Sequence, residues 1–213
     1  AAAVCTGGAA VVSDRAQKAK NVQRAFLGAM ETQMQIGCYP SETGSPADLT
    51  ERERTELQTA YTSRGEQYYT EENPCRKRYI ALNEDFLTAC DSDVEYSESG
   101  GVADCRFDSV RLYADRMTAV VQAQTVVWDK RISGNPEQGF SVELPVNRDT
   151  ITATMKKENG VWKLDSIDSQ ISLSAAVSAD DEVCRERYPT FETARQAADS
   201  IDDQAYIKEA RFA

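Results

Sequence analysis

The chain has 213 residues, with 24 Lys and Arg against 35 Asp and Glu, a formal charge of −11, six Cys and no His. At 41% hydrophobic it has enough apolar residues for a core. No apolar run reaches the ~20 residues that cross a bilayer, clustered positive charge for nucleic acid is missing, and so is the commonest general base and metal ligand. The expectation is therefore no membrane insertion, no nucleic acid, no metal and no cofactor.

The opening Ala1-Ala2-Ala3-Val4 reads as a stump left by cleavage of a signal or transit peptide at small residues. Residues 1–12 are expected to form an N-terminal arm. From Ser13, a candidate N-cap, Ala16, Ala19, Val22, Ala25, Phe26, Ala29, Met30 and Met34 recur at three- and four-residue steps. They make one apolar stripe on a helix that ends near Gly37. Cys38–Ser45 is turn-rich and reads as a loop. Ser45-Pro46 and the capping-box sequence Thr50-Glu51-Arg52-Glu53 open a second helix. Its few apolar positions (Leu57, Ala60, Tyr61) put it on the surface. A third helix follows Pro74, with Tyr79, Ile80, Asn83, Phe86, Leu87 and Cys90 on one face. Arg76-Lys77-Arg78 opens it and is offset by Glu71 and Glu72. Asp91–Asp104 reads as an acidic loop. Its alternating carboxylates do not make a calcium-binding EF-hand, because Tyr96 and Val102 stand where that loop needs Gly and Glu.

The period then changes to two. Ser109–Asp115 and Thr118–Lys130 are rich in Val, Thr, Tyr and Trp. In the second run Ala119, Val121, Ala123, Thr125 and Val127 share one face while Gln122 and Gln124 take the other. A loop at Ser133–Gly139 leads to Phe140–Asn147 and Thr150–Lys157, with Pro145 marking a bulge or an edge. Asn159-Gly160 predicts a two-residue hairpin turn. That register sets Lys157 opposite Trp162, Met155 opposite Leu164, and Lys156 opposite Lys163, a like-charge pair tolerable only if solvated. It turns Ile151, Ala153, Met155, Trp162 and Leu164 toward the core. Strand character runs to about Ser174. After an acidic stretch (Asp180, Asp181, Glu182), helical spacing resumes at Thr190. This gives an α+β fold, with a main domain over 13–178 and a C-terminal helical extension over 179–213.

The cysteines Cys5, Cys38, Cys75, Cys90, Cys105 and Cys184 are dispersed, with no CxxC pair. That pattern fits three disulfides in an oxidising compartment. Cys90–Cys105 would clasp the acidic loop and Cys38–Cys75 would join two helix edges beside Pro40 and Pro74, which leaves Cys5–Cys184. The expected location is extracytoplasmic: secreted, periplasmic, or an organelle lumen such as that of the thylakoid.

Asp108–Ser169 resembles the C-terminal half of a nuclear transport factor 2-like (SnoaL-like) domain. The likeness rests on Val110-Arg111-Leu112-Tyr113, the long strand Met117–Trp128, Thr150–Lys157, and Glu158-Asn159-Gly160-Val161-Trp162-Lys163-Leu164. It implies N-terminal helices packed into a curved antiparallel sheet, forming a cone with a pocket; the C-terminal helix read from the spacing has no counterpart in it. The superfamily holds isomerases, dehydratases and cyclases alongside noncatalytic binding and assembly domains. It has no universal motif, so no catalytic residue carries over.

Without His, acid–base chemistry would fall to Asp, Glu, Tyr or Lys with shifted pKa. Tyr79 and Asp85 lie about 240° apart around their helix and do not share a face. Ser and Cys nucleophiles have no His to activate them. The pocket candidates are Tyr79, Tyr113, Asp115 and Trp128. The C-terminal segment offers Phe191, Ile201, Tyr206, Ile207 and Phe212 as anchors for a partner. These residues point to a noncatalytic extracytoplasmic accessory or binding module in a larger protein assembly. The alternative is an isomerase or hydratase, or a carrier of a hydrophobic ligand, using the pocket.

Overall fold

A computed structural model describes residues 6–35, 38, 50–74, 76, 94–176, 182–203 and 205. The elements are α1 (Thr6–Gln35), α2 (Glu51–Tyr68), β1 (Val94–Leu112), β2 (Thr118–Asn135), β3 (Gly139–Glu143), β4 (Pro145–Glu158), β5 (Val161–Ala176), a short α3 (Glu182–Arg185) and α4 (Phe191–Asp199). The third helix expected after Pro74 lies outside the described residues. The fold is α+β. Its antiparallel sheet runs β1-β2-β4-β5, with β3 beside β2, and it does not close into a barrel.

α1 and β1 both begin earlier than expected, and β1 ends at Leu112, short of the expected Asp115. α1 begins at Thr6, so residues 6–12 belong to the helix and not to an arm; Ala9-Ala10 favours helix continuation, and Ser13 does not interrupt it. β1 begins at Val94, so most of the stretch expected as a loop at Asp91–Asp104 is strand. Its Ser-Glu-Ser-Gly-Gly composition is poor in strand formers. A Cβ at Gly100, however, would lie 3.0 Å from the Met34 carbonyl oxygen, and one at Gly101 would lie 2.8 Å from a Glu31 carboxylate oxygen. These glycines let the end of α1 approach the strand, so β1 is fixed by its neighbours.

The expected registers hold where turn chemistry sets them. Asn159 (φ 50) and Gly160 (φ 84) form the β4–β5 turn. Lys157 faces Trp162, Met155 faces Leu164, and Lys156 faces Lys163. The like-charge pair is relieved sideways, with Lys156 2.9 Å from Asp165 and Lys163 3.4 Å from Glu158. β3 and β4 run successively along β2 and break at Leu144, and Pro145 sits where β2's ladder is interrupted and pairs with Ala176 of β5. The predicted loop after Ser133 shortens to residues 136–138, where Asn135 Oδ1 accepts from the Glu137 and Gln138 amides at 3.0 and 2.9 Å. The predicted capping box at Thr50 caps α2, and Thr190, where helical spacing was expected to resume, caps α4.

α1 lays Val22, Phe26, Ala29 and Met30 on one face of the sheet. They pack against Val121 and Ala123 of β2, Ile151 and Met155 of β4, and Trp162 and Leu164 of β5. Phe26 meets Phe107 edge-on, with centroids 5.8 Å apart. The wholly buried Tyr69 donates its hydroxyl to the Ala29 carbonyl at 2.8 Å. Beyond it, the Thr70 amide and the Asn73 side-chain amide both donate to the Leu164 carbonyl, at 3.0 and 3.1 Å.

The opposite face is exposed at Gln122 and Gln124. Farther along β2 it is buried. There Val126 and Trp128 pack with Ala103, Leu144 and Val146, and Ile132, Phe140 and Val142 pack with Ala194 and Ala198 of α4. Among the described residues no helix is long and apolar enough to cross a membrane.

In urea unfolding, Phe26→Ala is expected to lose ~3–5 kcal/mol, and Tyr69→Phe, which removes the hydroxyl's bond to the Ala29 carbonyl, ~0.5–1.5 kcal/mol. A Phe26→Ala protein as stable as the parent would mean that α1 does not belong to the core.

Candidate functional site

At one end of the sheet, α1 runs past the last of its buried residues. Asp14–Gln17 are exposed, Val22 is buried, and a cleft of roughly 730 Å³ opens between them and the strand turns. Its walls are Asp14, Arg15 and Lys18 of α1, Leu112, Tyr113, Ala114 and Arg116 at the β1–β2 turn, and Lys157 and Trp162 of the β4–β5 hairpin. The two turns are tied together by the Lys157 amide, which donates to the Met117 carbonyl at 2.8 Å. The Lys157 ammonium lies 6.0 Å from the centroid of the Trp162 ring, at cation–π range.

Within the β1–β2 turn the Asp115 carboxylate accepts from the Met117 amide (2.9 Å), the Thr118 amide (3.0 Å) and the Thr118 hydroxyl (2.8 Å). These bonds, led by that from Met117, hold its pKa below the usual carboxylate value. Asp115 is thereby a turn former and not a base. The next residue, Arg116, sits at φ 58. An L-residue with a long side chain pays about 1–2 kcal/mol for that conformation.

Charge in the cleft is unbalanced. Asp14 is paired with Lys18 at 2.5 Å. No carboxylate stands within ion-pair distance of Arg15, Arg116 or Lys157 among the described residues. The rim is apolar and open: Tyr113 is 47% exposed, Met117 48% and Val161 52%. All three lie on or beside the two turns that bound the cleft.

Of the pocket candidates, Tyr113 lines this cleft and Asp115 holds its turn. Trp128 is buried on the other face of the sheet, among Ala103, Val126, Leu144 and Val146, and is not brought together with them. Tyr79 lies outside the described residues. Of the partner anchors, Phe191 packs edge-on against Phe140 (6.0 Å, 79°), and Ile201 packs on both outer clusters. Both are therefore covered by their own domain. Tyr206, Ile207 and Phe212 lie outside the described residues. The sequence reading missed Arg15, Lys18, Arg116 and Lys157. The first two share a helix side three residues apart, the same signal as any solvated helix face, and nothing local announces Arg116.

A second polar group lies under the C-terminal segment. The buried Lys130 ammonium donates to the Ala198 carbonyl at the end of α4 (3.2 Å) and lies 2.9 Å from Asp203, an ion contact without hydrogen-bond alignment. The Ser99 hydroxyl donates to the same carboxylate at 3.3 Å. Beside them both Glu98 carboxylate oxygens are covered and lack a hydrogen-bond partner. Burial first, then Asp199, push this carboxyl up to about 7 against the opposing pull of Lys130 and Arg195.

Glu98 also borders a cleft of roughly 420 Å³ with Cys38, Tyr61 and Arg64. A raised carboxyl near a tyrosine is what an isomerase would need. Here, though, the Glu98 oxygens have no open surface, and the Tyr61 hydroxyl donates to the Cys38 carbonyl. Among the described residues no three His, Cys, Asp or Glu side chains are placed to hold a metal ion.

The folded state binds the Glu98 proton more tightly than the unfolded chain does. Its effect on stability is therefore most favourable below about pH 4.5 and declines as the pH rises toward about 7. Solvent screening reduces the effect to about 1 kcal/mol. Glu98→Gln should then raise the Tm at pH 8 by roughly 2–4 °C relative to the parent, and the difference should vanish near pH 4.5. Parallel pH profiles for the two proteins would refute this.

Among the described residues, Cys38, Cys105 and Cys184 form no disulfide with one another. Each expected bridge joins one of them to Cys75, Cys90 or Cys5, which lie outside the described residues. Burial, with Asp129 adding to it, pushes the Cys38 thiol up to about 12, and burial with Asp104 and Asp108 does the same to Cys105. Such thiols are poor nucleophiles. Iodoacetamide at pH 8 is expected to leave Cys38 and Cys105 unmodified in the native protein. After denaturation without reductant, their labelling identifies thiols and its absence identifies disulfides. Rapid native labelling would show that the sulfurs are not buried.

No family model and no curated protein matches the chain. Among solved structures, the intermembrane space region of chloroplast protein ARC6 is similar at 16% identity, covering 62% of this chain and 90% of that one, with a TM-score of 0.39. At that score the likeness assigns neither family nor function.

Proposed function

We propose that this chain is a noncatalytic, extracytoplasmic binding module that joins a larger protein assembly through its cleft end. The observation that carries the reading is the rim: Tyr113, Met117 and Val161, each about half exposed, gather on the turns around one cleft. Large apolar residues grouped this way mark a surface that a partner covers. We read the sheet with α1 laid on it as a nuclear transport factor 2-like cone. In that reading Val22, Phe26, Ala29 and Met30 fill the interior where an enzyme or a lipid carrier would keep a cavity. The candidate acid–base groups argue in the same direction, since Asp115 is engaged by its turn and Glu98 is covered. Placement outside the cytoplasm draws its support from six dispersed cysteines without a CxxC pair.

Size exclusion of a native extract followed by immunoblotting tests the proposal. The chain is expected in a species larger than the purified protein. Met117→Glu combined with Val161→Glu should release it, while Gln124→Glu on the exposed face of β2 should not. Co-elution of the parent with the purified chain, or a double variant that stays in the large species, would overturn it.

A further inference from the structure

We infer that the cleft is an anion site that receives the carboxylates of an acidic segment of the partner, with Arg15, Arg116 and Lys157 as its ligands and Leu112, Tyr113 and Trp162 as its apolar wall. The inference rests on the reading of this end as the partner surface and adds the chemistry of what enters.

The charge placement is the first argument. The chain carries −11 overall, yet its acids near the cleft are each engaged elsewhere. Asp14 holds Lys18 at 2.5 Å, Asp115 caps its turn, Glu158 reaches Lys163 at 3.4 Å, and Asp165 reaches Lys156 at 2.9 Å. Among the described residues, three cations facing one space are left without a carboxylate. Two of them are guanidinium forks, the geometry that grips a carboxylate with two parallel hydrogen bonds.

The second argument is conformational. Arg116 occupies φ 58, where glycine or asparagine is favoured, and a strained arginine at a cleft wall points to a role for its side chain. Lys157 lies near the Trp162 indole, so less of its freedom remains to be lost when an anion binds.

The shape selects the source of the anion. A free organic acid would fit within roughly 730 Å³ and leave the rim residues uncovered. A membrane surface would need cations projecting outward, and it would be repelled by the rest of an acidic chain within a Debye length of ~8 Å. A protein segment can place a carboxylate inside and apolar side chains on Tyr113, Met117 and Val161.

The test is a ¹⁵N NMR titration of the full chain with a short synthetic peptide of aspartates and glutamates around one phenylalanine. The same peptide with Asn and Gln, the same peptide with Lys, and phosphatidylglycerol vesicles serve as controls. The acidic peptide should shift the amides of residues 14–18, 112–118 and 157–162 and the Trp162 indole. Arg15→Gln with Lys157→Gln should weaken it about tenfold while the remaining amide positions of the free protein superimpose on the parent's. Equal shifts from the uncharged peptide, shifts confined to other regions, or binding to vesicles alone would overturn the inference. Retention of the large native species when the acidic peptide fails would retire the anion site and leave the partner surface standing. Loss of that species as well would retire both.

Discussion

The rest of the structure depends on the fit of one helix stripe to one sheet face. Val22, Phe26, Ala29 and Met30 are all but completely removed from water, and they pack with residues of β2, β4 and β5. At ~1.5 Å per residue, α1 is about 45 Å long, far more than those four residues need. Its earlier turns carry Asp14, Arg15 and Lys18 out over the strand turns. Lys18 lies eight residues before Phe26, so the packing of the phenylalanine sets where the cations stand, ~12 Å away along a rigid rod. The cleft is a consequence of the core. It exists because the apolar stripe ends before the helix does.

The second layer has a different logic. β2 is buried on both faces from Thr125 to Lys130 but only on one at Gln122 and Gln124. The change marks where residues 182–201 cross the outer face. A cover that short has little apolar area, and it recruits polar anchors instead. Lys130, almost wholly buried, ties the end of α4 and the Asp203 carboxylate to β2. A lysine in that position must be matched by negative charge. Asp203 supplies it, and Glu98, buried beside the pair and facing Asp199, holds its proton. The displaced pKa is a by-product of docking.

The legible parts of the fold were those fixed by neighbours in sequence. Asn159-Gly160 dictates its own turn, and the β4–β5 register follows as far as Met155 and Leu164, beyond which two irregularities shift it. The capping box at Thr50 is local in the same sense. The α1 stripe was visible because 3.6-residue spacing survives any tertiary context, although its start at Thr6 was not. β1 was illegible because Ser97–Gly101 becomes a strand through β2 on one side and α1 on the other, and its glycines signal close approach and not a loop. Trp128, expected in the pocket, is buried instead on the opposite face, because the segment carrying Cys184 and Ile201, more than fifty residues later in the chain, covers it there. The cleft cations were indistinguishable from solvated charges, because what sets them apart is the missing acid partner, a property of three-dimensional placement.

Recognition by side chains at the turn end also follows from how the sheet guards its edges. The outer side of β1 is engaged at Ser97 by Cys38, that of β5 at Leu164 by Tyr69, and that of β3 at Phe140 by Tyr188. Three register shifts bend β1 between Ser97 and Ser109, which spoils a flat template for strand addition. A partner arriving at those stretches meets backbone groups that are already paired or turned away. At the turn end, by contrast, three large apolar residues and three cations unmatched among the described residues stand open in a molecule whose net charge repels copies of itself. That surplus keeps the apolar rim from self-association while the cleft retains a local attraction for carboxylates. Selectivity then arises from the contrast between one cationic end and an acidic remainder: the approach of an acidic segment is disfavoured everywhere except where the rim and the cleft can both be filled.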